Sequence, residues 1–172
     1  MKKLIFGSFL LCASFMAKSQ DNPGKGDLKF SGGAELALPI GDFGEFYSVG
    51  LGFSAQADYY VSDKVSLNLN AGYITYQGKT IDLGILGSIK SPSFNVIPVM
   101  AGARYSITEK FYGSAQLGLS FWSNDGFNGS DFTFAPGIGY KFSKIDVQLK
   151  YNSIGTEGGS SDNLGLRVAY TF

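Results

Sequence analysis

The sequence predicts an all-β fold, an eight-stranded antiparallel up-and-down β-barrel, and three observations predict it. Eight segments alternate apolar with small or polar residues at a period of two, which gives each strand one apolar face. The connections between them run long, short, long, short, long, short, long, as hairpin-joined antiparallel neighbours allow. Each segment is close to the roughly 9 to 11 residues that cross a bilayer at a tilt, so the barrel is expected to be transmembrane.

The chain opens on a leader. Lys2 and Lys3 precede an apolar run from Leu4 to Met16, and Ala17, Lys18 and Ser19 place small residues before an expected cut after Ser19. The run is shorter than the roughly 20 residues a spanning helix needs, so residues 1–19 are read as a signal peptide. Cys12 lies within it, preceded by Leu11 where a lipoprotein site would need a small residue. Residues 20–27 (QDNPGKGD) read as a polar linker, and residues 28–172 as the barrel domain.

In the first strand Leu28, Phe30, Ala34, Leu36 and Leu38 oppose Lys29, Ser31, Gly33, Glu35 and Ala37. An irregular loop from Ile40 to Ser48 leads to a second strand over about 49–61, with Leu51, Phe53, Ala55, Ala57 and Tyr59 on one face and Asp58 on the other. Ser62, Asp63 and Lys64 turn into a third strand, Val65 to about Tyr73. The longest connection, Gln77 to Ser93, carries Ile81, Leu83, Ile85 and Leu86, and part of it is expected to extend the flanking strands as a hairpin. The fourth strand, about 94–107, contains Pro98, where a bulge or broken pairing is expected because proline has no N–H to give the ladder. A turn at Thr108–Lys110 precedes the fifth strand, which holds Phe111 to Phe121; Ser123 to Ser130 reads as a loop, and the sixth strand starts at about Phe132. Ser143 and Lys144 make a minimal turn into the seventh strand, Ile145 to Asn152. After a loop from Ser153 to Asn163 comes the eighth strand, LGLRVAYTF, Leu164 to Phe172.

Alternation alone does not say which face is inside, and a soluble lipocalin-like barrel is the competing architecture. The polar face decides: it is mostly Gly, Ser, Asn, Gln and Thr, which suits a narrow packed interior, whereas a water-facing surface would be rich in Lys and Glu. Removing Lys2, Lys3 and Lys18 from the 14 basic residues leaves 11 against 14 acidic ones, and nothing suggests nucleic acid as a partner. The chain has no His, and its one Cys falls in the leader, which argues against histidine triads, the usual zinc sites and thiol nucleophiles. There is no GxSxG motif. Asp125 and Asp131 sit among Gly and Asn as turn formers, and SNDGFNGSD lacks the spacing of a calcium loop. No enzyme, cofactor or metal is expected.

The terminal strand, with Leu166, Val168, Tyr170 and Phe172 at alternate positions, resembles the C-terminal signal that the barrel-assembly machinery reads in bacterial outer-membrane β-barrels. The segments IPVMAGARYSI from Ile97 and FAPGIGYKF from Phe134 are similar to small porin-family proteins of the OmpA-transmembrane or OmpX kind. The resemblance implies a bacterial outer-membrane location, short periplasmic turns, longer extracellular loops, and lipid or lipopolysaccharide around the wall. Tyr59, Tyr60, Tyr105, Phe111, Tyr140, Phe142, Tyr170 and Phe172 then gather at the turn side as an aromatic girdle.

Eight strands close a barrel that side chains just fill, so inward charges become the candidate site. Glu35, Lys150 and Arg167 fall near mid-height; Lys29, Asp58, Arg104, Lys141 and Asp146 fall lower. Glu35 and Arg167 lie on strands that neighbour one another on closure and are expected to pair, so that removing Arg167 would strand Glu35. A plug of paired charges is the favoured reading, since such charges cannot stay buried alone; a gated narrow channel for ions or small solutes is the alternative. Phe46, Tyr47, Ile85, Leu86 and Phe127, with Phe43 and Trp122 near them, are candidates for contacts with an extracellular or outer-membrane protein, or else rings that cap the barrel rim. The expected function is a non-enzymatic structural, membrane-integrity or interaction role.

Overall fold

The computed structural model of the chain describes residues 23–82, 88–124, 126–156 and 159–172. Eight long strands close on themselves: β1 (Leu28–Ile40), β2 (Tyr47–Tyr60), β3 (Val65–Gly78), β6 (Phe94–Ser106), β7 (Phe111–Asn124), β8 (Phe127–Phe142), β9 (Ile145–Thr156) and β10 (Gly159–Thr171). Each pairs antiparallel with its chain neighbours, and β1 pairs with β10 to complete the ring, in register from Ser31↔Thr171 to Ile40↔Asp162. Closure leaves no edge, so every strand has a hydrogen-bonding partner on both sides. A six-residue helix, α1 (Gly41–Phe46), joins β1 to β2, and two three-residue strands, β4 (Thr80–Asp82) and β5 (Ser88–Lys90), form a small hairpin between β3 and β6.

The alternation resolves as expected for a barrel in lipid. The apolar face points outward, with Phe53, Leu69, Leu117, Phe132 and Val168 exposed, while the polar face is buried. At the turn end Tyr59, Tyr105, Tyr140, Phe142, Tyr170 and Phe172 face outward, as the girdle requires; Tyr60 is the correction, since it is the inward residue of its strand end and its hydroxyl accepts a 2.9 Å bond from Lys141 Nζ.

The strands outrun their expected bounds at the opposite end. Asn124 pairs with Phe127, so the expected loop from Ser123 to Ser130 is mostly ladder, and β9 and β10 stay paired up to Thr156↔Gly159. Ser, Asn, Gly and Asp there can share backbone hydrogen bonds while both faces are wet, and period-two alternation fades where neither face is buried. The long connection behaves as expected in part: β3 runs to Gly78, and β4 and β5 form the hairpin beyond it.

Pro98 breaks pairing without adding a residue. The β3–β6 ladder stops at Ala71↔Val99 and resumes at Ile74↔Val96 in the same register, and Pro98 stays aligned with Ser120 on its other side. Pro136 makes a second gap that the sequence reading missed, between Phe134↔Ser153 and Gly137↔Lys150.

Candidate functional site

The interior is filled in three tiers. Nearest the short turns, Arg104 on β6 reaches two carboxylates: its Nη1 donates to Asp146 Oδ2 at 2.8 Å, and its Nε lies 3.5 Å from Asp58 Oδ1. Asp146 also accepts from the Tyr112 hydroxyl at 2.6 Å, and both oxygens of Asp58 accept from Gln56 Nε2. The Arg104 guanidinium lies 4.6 Å from the Tyr112 ring centre, a cation–π contact between two buried side chains. Charge-assisted bonds of this kind are what make buried ions tolerable.

The second tier stands higher on β9, β10, β1 and β2. Glu35 Oε1 is 3.2 Å from Lys150 Nζ and 3.6 Å from Arg167 Nε, and accepts a 2.7 Å bond from the Ser54 hydroxyl. Arg167 donates from Nε to Ser54 and from Nη2 to Ser31, and has no exposed surface. The expected pair of Glu35 and Arg167 is present, but Lys150 is the nearer partner. Removing Arg167 therefore does not strand Glu35, which corrects the two-residue view. Register explains this: Glu35 faces Arg167 across β1–β10, and Lys150 enters the same level from β9, two strands away.

The lower-tier charges divide. Asp58, Arg104 and Asp146 come together; Lys141 instead bonds Tyr60, and Lys29 makes no ion pair among the described residues. Among the described residues the buried charges number three acids (Glu35, Asp58, Asp146) and three bases (Arg104, Lys150, Arg167).

The third tier is apolar. Phe43 from α1 packs among Tyr47, Tyr76 and Phe94 with ring centres 4.9, 5.1 and 5.7 Å away, and Trp122 stacks on Phe94. Ile74, Val96 and Ile154 complete this cluster. Between it and the Glu35 tier is a cavity with about 20 Å³ open to the centres of water molecules, enough for one or two waters. Its lining is mixed, apolar from Ile74, Tyr76 and Val96 and polar from Glu35, Lys150 and Asn152.

Three inward rings are accommodated by glycines at the facing register position on the next strand: Tyr112 by Gly139, Trp122 by Gly129, and Tyr76 by Gly50. A Cβ at any of the three would come within 2.7 Å of the ring. Large-against-small pairing lets so narrow a barrel hold whole aromatic side chains.

The loop candidates also divide. Phe46 and Phe127 are exposed, at 48% and 76%. Tyr47 turns toward the mouth, where Phe43 and Phe94 pack on it and Asn124 donates to its hydroxyl, so it is part of the interior cluster. Trp122 likewise points inward, with Nε1 donating to Asp131 Oδ2 at 2.6 Å. Ile85, Leu86 and Asp125 lie outside the described residues. The aromatic tier was not found in the sequence, although Ile74 and Tyr76 continue the inward parity of Asn70 and were there to be read.

Comparison with family models decides the wider question, with a match to the outer membrane protein beta-barrel domain over residues 7–172. The chain belongs to that family. It is therefore a small outer-membrane barrel protein of bacteria. Solved barrels share the fold. Ail, the attachment invasion locus protein of Yersinia pestis, in complex with the heparin analogue sucrose octasulfate, is 14% identical over 86% of this chain and 99% of that one, with a TM-score of 0.58. The N-terminal β-barrel domain of Pseudomonas aeruginosa OprF is 16% identical over 87% and 100%, with a TM-score of 0.54. Neisserial surface protein A is 21% identical over 84% and 97%, with a TM-score of 0.53. No curated protein matches the chain by sequence.

Proposed function

We propose that this barrel is a non-enzymatic outer-membrane protein with a structural, membrane-integrity or interaction role, its lumen plugged and its outer loops carrying the contacts. The observation that supports this is the filled interior: two tiers of ion pairs and an aromatic tier cross the lumen, and the cavity between them is of water size. A filled eight-stranded barrel offers solutes no open path. The domain reading that goes with it is a leader over residues 1–19, a linker over 20–27 and the barrel from 28 onward.

Phe46 and Phe127 are the apolar groups this reading assigns to an extracellular or outer-membrane protein partner. A polysulfated ligand of the kind in the Ail complex is a poor fit, because among the described residues at this end Asp42, Glu45, Asp82, Asp131 and Asp162 outnumber Lys79 and Lys90. Around the wall the partners are lipid and lipopolysaccharide. For assembly, Leu166, Val168, Tyr170 and Phe172 present one outward apolar row to the barrel-assembly machinery, and replacing Phe172 by Ser is expected to lower the assembled fraction without disturbing the lumen.

The second reading, a narrow gated channel, draws on the Glu35 tier, where one carboxylate has two cations to choose from. Single-channel recording of the refolded barrel in a planar bilayer separates the two. Silence with confirmed insertion supports the plug. Discrete openings that change in Glu35→Gln or Arg167→Met barrels overturn it in favour of the channel.

A further inference from the structure

We propose that α1 is a lid that seals the outer mouth of the lumen with Phe43, and that Lys79 is its latch. This rests on the plugged-lumen reading and goes beyond it by making the outermost, aromatic tier a part that opens. Phe43 is 8% exposed and belongs to the same apolar cluster as Ile74, Tyr76, Val96 and Ile154, all four of which line the cavity. Phe43 does not line the cavity itself but packs on Tyr76, one of its wall residues, which sets the ring above a water-sized chamber that Glu35 and Lys150 also line.

The segment that holds Phe43 is built to separate from the wall. Six residues are too few for a helix to persist alone, because nucleation is costly and few bonds follow it. No side chain caps its start; Ile40 is extended there, and Gly41 has φ +58, with open space around it. A glycine in the left-handed region lets the chain swivel at that point without a Cβ clash. Asp42, Glu45 and Phe46 face solvent. α1 lies against β10, and the hydrogen bonds that hold it to the far side of the mouth come from Lys79: its backbone N–H donates to Phe46 O at 2.9 Å and its Nζ to Gly44 O at 2.5 Å. The barrel strands are by contrast paired on both sides. Opening α1 thus lifts one ring out of its contacts with Tyr76 and Phe94, breaks a few hydrogen bonds and leaves the ladder whole, which is the pattern of a low-stability local unit.

A buried thiol reports the seal. The only Cys in the chain is Cys12, within the expected leader. Ser120 is 1% exposed and lines the chamber, so Ser120→Cys places one thiol behind the lid. Refolded barrels in vesicles are treated with methyl methanethiosulfonate and followed by mass, counting only barrels that show heat-modifiable mobility; Ser123→Cys, outward near the rim, sets the rate for a free thiol. The lid predicts slow modification of Ser120→Cys in the parent background. Adding Lys79→Ala, which removes the Nζ bond and keeps the backbone one, is expected to raise the rate by up to about tenfold, the shift in open population that follows loss of one hydrogen bond of ordinary strength; Phe43→Ala, which removes the buried ring, is expected to raise it at least as much. If Phe43→Ala does not fold, Lys79→Ala carries the comparison. Unchanged rates in the folded variants, or parent modification as fast as Ser123→Cys, overturn the lid.

Discussion

Arg104 Nη1 donates to Asp146 Oδ2 at 2.8 Å from β6 to β9, two strands that are not neighbours in the wall. The bond is therefore a strap across the lumen, and it holds strands that no backbone ladder joins. Arg104→Met removes the cation from Asp146 and Asp58 together and leaves both carboxylates buried. The expected loss is about 3–5 kcal/mol, the cost typical of breaking a buried pair from one side. Urea unfolding in vesicles measures it, and a triple Arg104→Met, Asp58→Asn, Asp146→Asn barrel should recover most of the loss. A triple variant no more stable than the single one would count against the electrostatic explanation.

Glu35 is shared, so its tier should respond unequally. Glu35→Gln leaves Lys150 and Arg167 facing each other with no carboxylate and is expected to cost about 3–5 kcal/mol. Arg167→Met keeps the 3.2 Å pair of Lys150 and Glu35 and loses mainly the bonds to Ser31 and Ser54, about 1–3 kcal/mol. Equal losses in the same unfolding assay would show that Lys150 is no partner of substance.

Gly139 gives Tyr112 its space. A Cβ there would lie 2.2 Å from the phenol oxygen, so Gly139→Val must push the ring away from Asp146. Overpacking of this kind costs about 1–3 kcal/mol. Gly139→Val combined with Tyr112→Leu should lose less than the sum of the two single changes; strict additivity would mean that the residues do not compete for the same volume.

Ser143 occupies the left-handed region, φ 53, in the two-residue turn between β8 and β9. That conformation costs an L residue about 1–2 kcal/mol and costs glycine almost nothing. Ser143→Gly is therefore expected to be neutral or to raise stability by up to about 1 kcal/mol, offset by the added freedom of the unfolded chain. A clear destabilisation on thermal or urea unfolding would show that the Ser143 side chain has a role the turn geometry does not reveal.

The lower and middle walls were legible because one periodic signal controls them. Once the apolar face is set against lipid, parity alone sends Glu35, Asp58, Arg104, Asp146, Lys150 and Arg167 inward. Which of them touch was not legible, because that depends on register and on reach across the lumen: Lys150 reaches Glu35 from two strands away. The mouth was harder to read. Phe43 and Tyr47 look like exposed loop aromatics in the sequence, since nothing local says that α1 folds inward over the opening. Tyr76 was hidden by the expectation that strands end where alternation fades, although the backbone ladder continues past that point.

The buried ions also have an electrical consequence. The Glu35 tier carries one net positive charge and the Arg104 tier one net negative charge, so these six buried charges sum to zero and form a dipole along the barrel axis. A full unit charge crossing the whole membrane gains about 2.3 kcal/mol per 100 mV, and two opposite charges separated by a fraction of that distance feel a fraction of it. Voltage can therefore tilt the balance between the tiers only weakly, and in opposite senses for opposite polarities. The orientation of an inserted barrel would thus be readable from the sign of its response.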